Sequence, residues 1–151
     1  MKGTAPMAAI VVYDDLKHRD QVAQLWKAVF AYATLHNAPS LVLDKKLAVR
    51  DDLLFVAVIG AVVVGTAMAG YDGHRGWLYS VAVDPTHRGK GVGTDLVQHA
   101  ERVLASLGCM KINLQIADGN EGVLSFYESL GYSVERRVSM GKVLHENVSA
   151  T

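Results

Sequence analysis

The sequence predicts a single α/β domain of mixed α+β type, with a central, mostly antiparallel sheet of about six to seven strands flanked by about four helices. Three observations carry that prediction. Short apolar runs of strand character alternate along the chain with longer segments whose apolar residues recur at helical spacing. No linker, internal repeat or low-complexity stretch interrupts that order. At 151 residues, the chain also has the common size of one domain with its own core.

Residues 1–7 read as a loose leader and residues 145–151 as a loose tail, so one domain spans 1–151. Ala8 to Tyr13 is a first strand, followed by DDLKHRD as a polar turn. Val22, Leu25, Trp26, Val29 and Ala33 follow helical spacing and predict an amphipathic helix from about Asp20 to Leu35. Pro39 breaks it, and Leu43 to Arg50 reads as a short second helix. Leu53 to Tyr71, LLFVAVIGAVVVGTAMAGY, carries no charge and is long enough to span a bilayer. Gly60, Gly65 and Gly70 cut it into valine-rich pieces, however, which predict a hairpin turning near Ile59–Ala61 and buried on both faces. YDGHRG then forms a turn, and WLYSVAV a strand ended by Asp84-Pro85.

The second half continues the alternation. Val92, Leu96, Val97, Ala100, Val103, Leu104 and Leu107 mark one face of a helix stopped by Gly108. Met110, Ile112, Leu114 and Ile116 alternate with polar residues as a strand with one wet face. Asn120 is placed to cap a helix whose buried stripe is Val123, Leu124, Tyr127 and Leu130. Tyr132 to Leu144 reads as a terminal pair of strands.

Bulk composition narrows the function. Fifteen basic residues balance fifteen acidic ones, which gives no reason to expect a nucleic acid or an anionic membrane as partner. Cys109 is the single cysteine, which excludes an internal disulfide and a multi-cysteine metal site, and no metal is expected. One thiol and no signal peptide suit a reducing cytoplasm. Any anion site must therefore be local.

The stretch HRGKGVG, His87 to Gly93, supplies one between a strand and a helix. Gly89, Gly91 and Gly93 let a ligand approach the main chain, and the helix start offers free N–H groups with the positive end of the dipole. Arg88 and Lys90 add formal charge. Lys90 is followed by glycine, which rules out a P-loop, and Thr94 stands where a dinucleotide fingerprint needs glycine. Taken alone, the cluster also fits a tight turn with solvated cations.

Arg88-Gly89-Lys90-Gly91-Val92-Gly93 resembles the [Q/R]-x-x-G-x-[G/A] signature of the GNAT superfamily of acetyl-CoA-dependent N-acetyltransferases, within the longer string VAVDPTHRGKGVGTDLV. Asn120 followed by FYESLGY, Phe126 to Tyr132, resembles the superfamily's second segment, with Val123 in place of a small alanine. YDGHRG further resembles the YpeA-type branch. Two matches in the right order are far more specific than one.

The resemblance implies an acyltransferase that uses acetyl-CoA, with its pyrophosphate on the amides of Gly89, Lys90, Gly91, Val92, Gly93 and Thr94 and with Arg88 beside them. The pantetheine arm would pair with the main chain of Val81 and Val83 as an added strand and bond to Asn120. The Val81 amide would face the thioester carbonyl, and Tyr127 would protonate the departing thiolate. The partner is a small-molecule or peptide amine, whose identity is left open between protein N-terminus, lysine, polyamine, aminoglycoside and amino acid; a homodimer is also left open.

The family pattern breaks at the base. Many relatives carry a glutamate near the start of the strand before the phosphate loop, where this chain has Arg75, Gly76 and Trp77. Asp72 and His74 are the nearest titratable groups, with the phenols of Tyr71 and Tyr79 behind them and Arg75 adjacent; these five are the candidate acceptor-side residues. A non-catalytic acyl-CoA-binding or regulatory domain is the second reading, and a binding module whose glycines serve only a turn is the third. His18 and His36 flank the first helix and are expected in solvent, His99 is expected on the polar side of the long helix, His145 lies in the tail, and Cys109 is expected as a buried thiol.

Overall fold

The charge-free run folds as a hairpin at the centre of the sheet. In the computed structural model, which describes residues 7–30, 35–117 and 120–144, strand β2 (Leu54–Ile59) turns at Gly60 into β3 (Val62–Tyr71). Gly60 takes a φ of +61°, a conformation open to glycine at little cost. Phe55, Ala57, Val64 and Ala67 point to one face and Leu54, Val56, Val63 and Met68 to the other, all buried. Double-sided burial explains a segment without charge. Among the described residues no helix is long and apolar enough to cross a membrane.

The hairpin is flanked by β1 (Ala9–Val12) and β4 (Gly76–Val83), and β5 (Ile112–Asn113) lies beyond β4, in the order β1-β2-β3-β4-β5. The first four strands pair antiparallel with one another, and β5 runs parallel to β4. Helices α1 (Asp15–Val29) and α2 (Pro39–Val49) cover one face, where Val22, Leu25, Trp26 and Leu43 meet Leu54, Val56, Met68 and Ala82. Helix α3 (Val92–Ser106) covers the other through Val92, Leu96, Val97, Ala100 and Leu104. Helix α4 (Glu121–Ser129) joins that second core through Tyr127. The α/β class, with four α-helices among the described residues, agrees with the sequence reading.

Several boundaries differ, each for a local reason. α1 opens at Asp15 rather than Asp20, because DDLKHRD is its first turn and not a polar connection. The Asp14 carboxylate accepts from the Leu16 N–H at 3.1 Å, and His18 Nδ1 accepts from the Asp14 N–H at 2.9 Å. That reciprocal cap buries His18 instead of leaving it in solvent. α2 starts at Pro39 rather than Leu43, since proline in the first helical turn loses no bond the helix needs.

The described residues hold five strands, not six to seven. β5 keeps only Ile112–Asn113 of the expected 110–116, and 132–144 forms no strand. That segment lies beside β5 through side chains: Lys111 and Asn113 donate to Glu135 at 2.5 and 2.9 Å, and Gln115 donates to Ser139 at 2.6 Å. Val134, Val138 and Met140 stay exposed, so their alternation buries no face and builds no ladder. The leader apart from Met7, and the tail with His145, lie outside the described residues.

Candidate functional site

Strand β4 carries one residue more than its partner. Thr66 pairs with Ala82 and Met68 with Tyr79, so β3 advances two residues while β4 advances three. The result is a β-bulge at Ser80–Val81, and Ser80 sits at a φ of +49°, a strained position for a side chain other than glycine. The Ser80 carbonyl accepts from the Thr66 hydroxyl at 2.8 Å, and Thr66 Oγ1 accepts from the indole N–H of Trp26 at 2.9 Å. Trp26 and Thr66 are both fully buried.

Beyond the bulge the alternation is regular. Asp84 donates its N–H to Val64 at 2.8 Å and Ala82 pairs with Thr66, so these residues turn their main chains toward β3. Val81 and Val83, at the intervening positions, turn theirs away from it. On that side β5 bridges β4 only at Gly76–Ile112 and Trp77–Asn113. The two parallel strands part there, and the outer main-chain edge of Val81 and Val83 borders the gap.

The glycine-rich loop follows directly. Pro85–His87 form one 3₁₀ turn, tied by the Asp84 carboxylate, which accepts from the Thr86 hydroxyl at 2.7 Å and lies 2.8 Å from His87 Nδ1. Those contacts, Thr86 first, hold the Asp84 carboxyl below the usual carboxylate range. His87 is thereby held against the 3₁₀ turn. Gly89 (φ +75°) and Gly91 (φ +83°) adopt left-handed backbone, and an added Cβ at either would meet nothing within 4 Å. Both are open as well as conformationally demanding. Asp95 donates the first bond of α3 to the Gly91 carbonyl at 3.0 Å, which leaves the amides of Val92, Gly93 and Thr94 outside the helix ladder. Arg88 and Lys90 are exposed beside them and form no ion pair among the described residues.

Gly93 has a different task. A Cβ there would lie 3.3 Å from Phe126 Cζ and 3.5 Å from Val83 Cγ2. It is a packing glycine that brings the α4 ring onto the start of α3 and the end of β4. Tyr127, next to Phe126, is buried edge-on against Tyr132 with ring centroids 5.7 Å apart. Burial raises its phenol to about 12, and its hydroxyl has no protein partner among the described residues. Asn120 precedes α4 as expected, yet its side chain makes no capping bond and is exposed.

The YDGHRG turn is closed on itself. Asp72 Oδ1 accepts from the N–H groups of His74 and Arg75 at 2.8 and 2.7 Å, and these bonds, Arg75 first, hold its carboxyl below the usual range. Gly73 takes a φ of +90°, the Tyr71 hydroxyl donates to the Gly73 carbonyl at 3.3 Å, and an Arg75 nitrogen lies 3.4 Å from His74 Nδ1. Tyr79 stacks on Trp77 at 6.5 Å and is half exposed; burial, then the Asp72 charge, raises its phenol. No carboxylate lies on β4.

His99 differs from expectation: it packs edge-on against buried Phe55, with centroids 4.8 Å apart, rather than on the polar side of α3. Cys109 is partly exposed rather than buried, with its Sγ 3.3 Å from the Lys111 carbonyl. No group of three metal-ligating side chains occurs among the described residues. The sequence reading missed the bulge, the Trp26–Thr66 pair and the packing role of Gly93. Thr66 was the available signal, since a hydroxyl inside a doubly buried run demands a partner.

Residues 11–132 match the family model described as acetyltransferase (GNAT) family. The chain is 41% identical over 112 residues to an acetyltransferase of Sodalis glossinidius (strain morsitans), covering 74% of this chain and 79% of that protein. An acetyltransferase of Pectobacterium atrosepticum is 38% identical over 111 residues, with 74% and 79% covered. The solved structure of aminoglycoside N-acetyltransferase AAC(6')-Iy in complex with CoA superposes with a TM-score of 0.75 at 18% identity, covering 96% of this chain and 100% of that one. At that identity the likeness is one of fold.

Proposed function

The chain belongs to the acetyltransferase (GNAT) family, and on that premise we propose that it moves the acetyl group of acetyl-CoA onto the nitrogen of an amine by direct attack. The observation that carries this reading is the gap between β4 and β5, bordered by the unpaired main-chain edge of Val81 and Val83. At its end lie the free amides of α3.

Val81 and Val83 pair with the pantetheine arm as a strand would, and Asn120 adds a side-chain bond. The amides of Gly89 to Thr94, with Arg88 and Lys90, hold the pyrophosphate. The Val81 N–H donates to the thioester oxygen as negative charge grows there. As the new C–N bond forms and the C–S bond breaks, Tyr127, kept protonated by its burial, gives its proton to the sulfur, while the surplus proton of the acylated nitrogen passes to water, from which the phenolate is reprotonated. The acceptor borders Tyr79, with Tyr71, Asp72, His74 and Arg75 as its rim.

One observation favours a second reading, an acyl-CoA-binding domain without catalysis: β4, GWLYSVAV, holds no acidic side chain to take the ammonium proton. Incubation with acetyl-CoA and a panel of amines, read by mass spectrometry, decides between them. A mass gain of one acetyl group on any amine supports the transferase. CoA binding without any acetylated product supports the second reading.

A further inference from the structure

We propose that Trp26 and Thr66 are positioning residues for the amide of Val81, which they aim through a buried hydrogen-bond relay; the proposal rests on the reading of Val81 given above. The relay has three members. Trp26 Nε1–H donates to Thr66 Oγ1 at 2.9 Å, and the Thr66 hydroxyl donates to the Ser80 carbonyl at 2.8 Å.

A hydroxyl has one proton to give and lone pairs to accept with. The indole, a donor only, occupies a lone pair of Thr66 and leaves its proton for Ser80. Trp26 and Thr66 have no solvent exposure, so water competes for neither bond. Loss of one partner would strand a buried donor or acceptor, which makes the arrangement hard to replace.

The carbonyl it holds belongs to the peptide unit whose N–H is that of Val81. That unit is planar and trans, with its C=O and N–H pointing opposite ways. A carbonyl drawn toward Thr66, on the α1 side of β3, therefore turns the Val81 N–H away from β3 and toward the gap. Ser80 makes the anchor necessary: at a φ of +49° the bulge is not a resting conformation for this residue, and such geometry persists only where surroundings over-determine it. α1 thus reaches the reacting carbonyl without touching it.

Infrared spectroscopy of acetyl-CoA isotopically labelled at its thioester carbonyl, bound to the full chain without an amine, reads the hydrogen bond on that oxygen directly. In the wild type the bound band lies below that of the free thioester. Thr66→Val keeps the shape and removes the hydroxyl; it is expected to move the band back toward the free position and lower kcat about ten- to a hundredfold. That is less than the hundred- to thousandfold typical of deleting an oxyanion donor. Its CoA dissociation constant stays close to that of the wild type, and Thr66→Ser restores both band and kcat.

A purely structural role would lower the melting temperature in Thr66→Val and leave the bound band where the wild type has it, which overturns the relay. Should Thr66→Val not accumulate as folded protein, Trp26→Phe is read instead; it is expected to move the band in the same direction by a smaller amount, and an unmoved band overturns the relay. Replacement of the Val81 amide by an ester separates the two levels. If the ester chain keeps the wild-type band, the role of Val81 itself falls. If the ester removes the shift while Thr66→Val retains it, Val81 stands and the relay alone is lost.

Discussion

Trp77 of β4 pairs with Asn113 of β5, and among the described residues that pair is the last bridge between the two strands. Upstream of it the sheet is closed; downstream, three of the next six residues of β4 belong to the bulge and the open edge. The point of parting fixes which main-chain groups are free for a ligand. It also separates two kinds of glycine that look alike in the sequence.

Gly91 and Gly93 should respond differently to substitution. Gly91→Val places a β-branched side chain at a φ of +83° in open space, so it costs backbone strain of about 1–2 kcal/mol and obstructs the ligand face. CoA should then raise the melting temperature of this variant far less than that of the wild type. Gly93→Leu drives a side chain into Phe126 and should lower the melting temperature with or without CoA. Equal behaviour of the two variants would contradict the division.

Tyr127→Phe should lower kcat about a hundredfold or more while CoA affinity holds, because the ring packing is retained and the proton is lost. The burial-raised phenol, at about 12, also sets the alkaline behaviour. The donating form persists until pH approaches that value, so the kcat profile should show no decline from Tyr127 near the ordinary tyrosine value of about 10. A decline there that disappears in Tyr127→Phe would show an unshifted phenol.

Asp72→Asn tests the rim of the acceptor site. The amide oxygen of asparagine can accept the His74 and Arg75 N–H groups as the carboxylate does, so the turn should survive. Turnover should fall while CoA affinity is unchanged, because Asp72 lies in the β3–β4 turn and the glycine-rich loop, proposed to hold the pyrophosphate, at the other end of β4. Wild-type turnover with every accepted amine would reduce Asp72 to a turn former.

His99 gives the fold a dependence on pH. Burial, then the charge of Arg102, holds its imidazole below the ordinary 6.5. The unfolded chain therefore takes up the proton first as pH falls. The stability contributed by neutral His99 is full above about 6.5 and is lost as pH drops through the lower folded value. Melting temperatures measured from pH 8 to pH 5 should fall more steeply for the wild type than for His99→Gln. Parallel curves would place the pH response elsewhere.

The glycine turns of the loop before α3, the valine hairpin and the α3 stripe were legible because each rests on a local rule: glycine conformations, charge-free burial and helical spacing. The start of α1 was not, since its cap is built from the same polar residues that make turns, and only the bond from Asp14 to His18 Nδ1 distinguishes the two. The terminal strands failed for the opposite reason. Their alternation is present, but nothing covers Val134 and Val138. The bulge left no trace in composition, because WLYSVAV reads as an unbroken strand whether or not one residue is surplus.

That surplus residue changes the parity of β4. Leu78 packs on the α3 side and Ala82 on the α1–α2 side, although four steps along a regular strand return a side chain to the face it left. Odd-numbered residues before the bulge, Trp77 and Tyr79, therefore look toward α1 and α2, whereas odd-numbered residues after it, Val81 and Val83, pack with the α3 core. Deletion of Ser80 would leave three steps between Leu78 and Ala82, and three steps along a regular strand set two side chains on opposite faces, where these already lie; the strand would lose its bulge and neither half would turn over. The bulge absorbs the surplus residue whole, so both halves keep the faces of a regular strand one residue shorter, and what the extra residue changes is the direction of the main chain at Ser80–Val81.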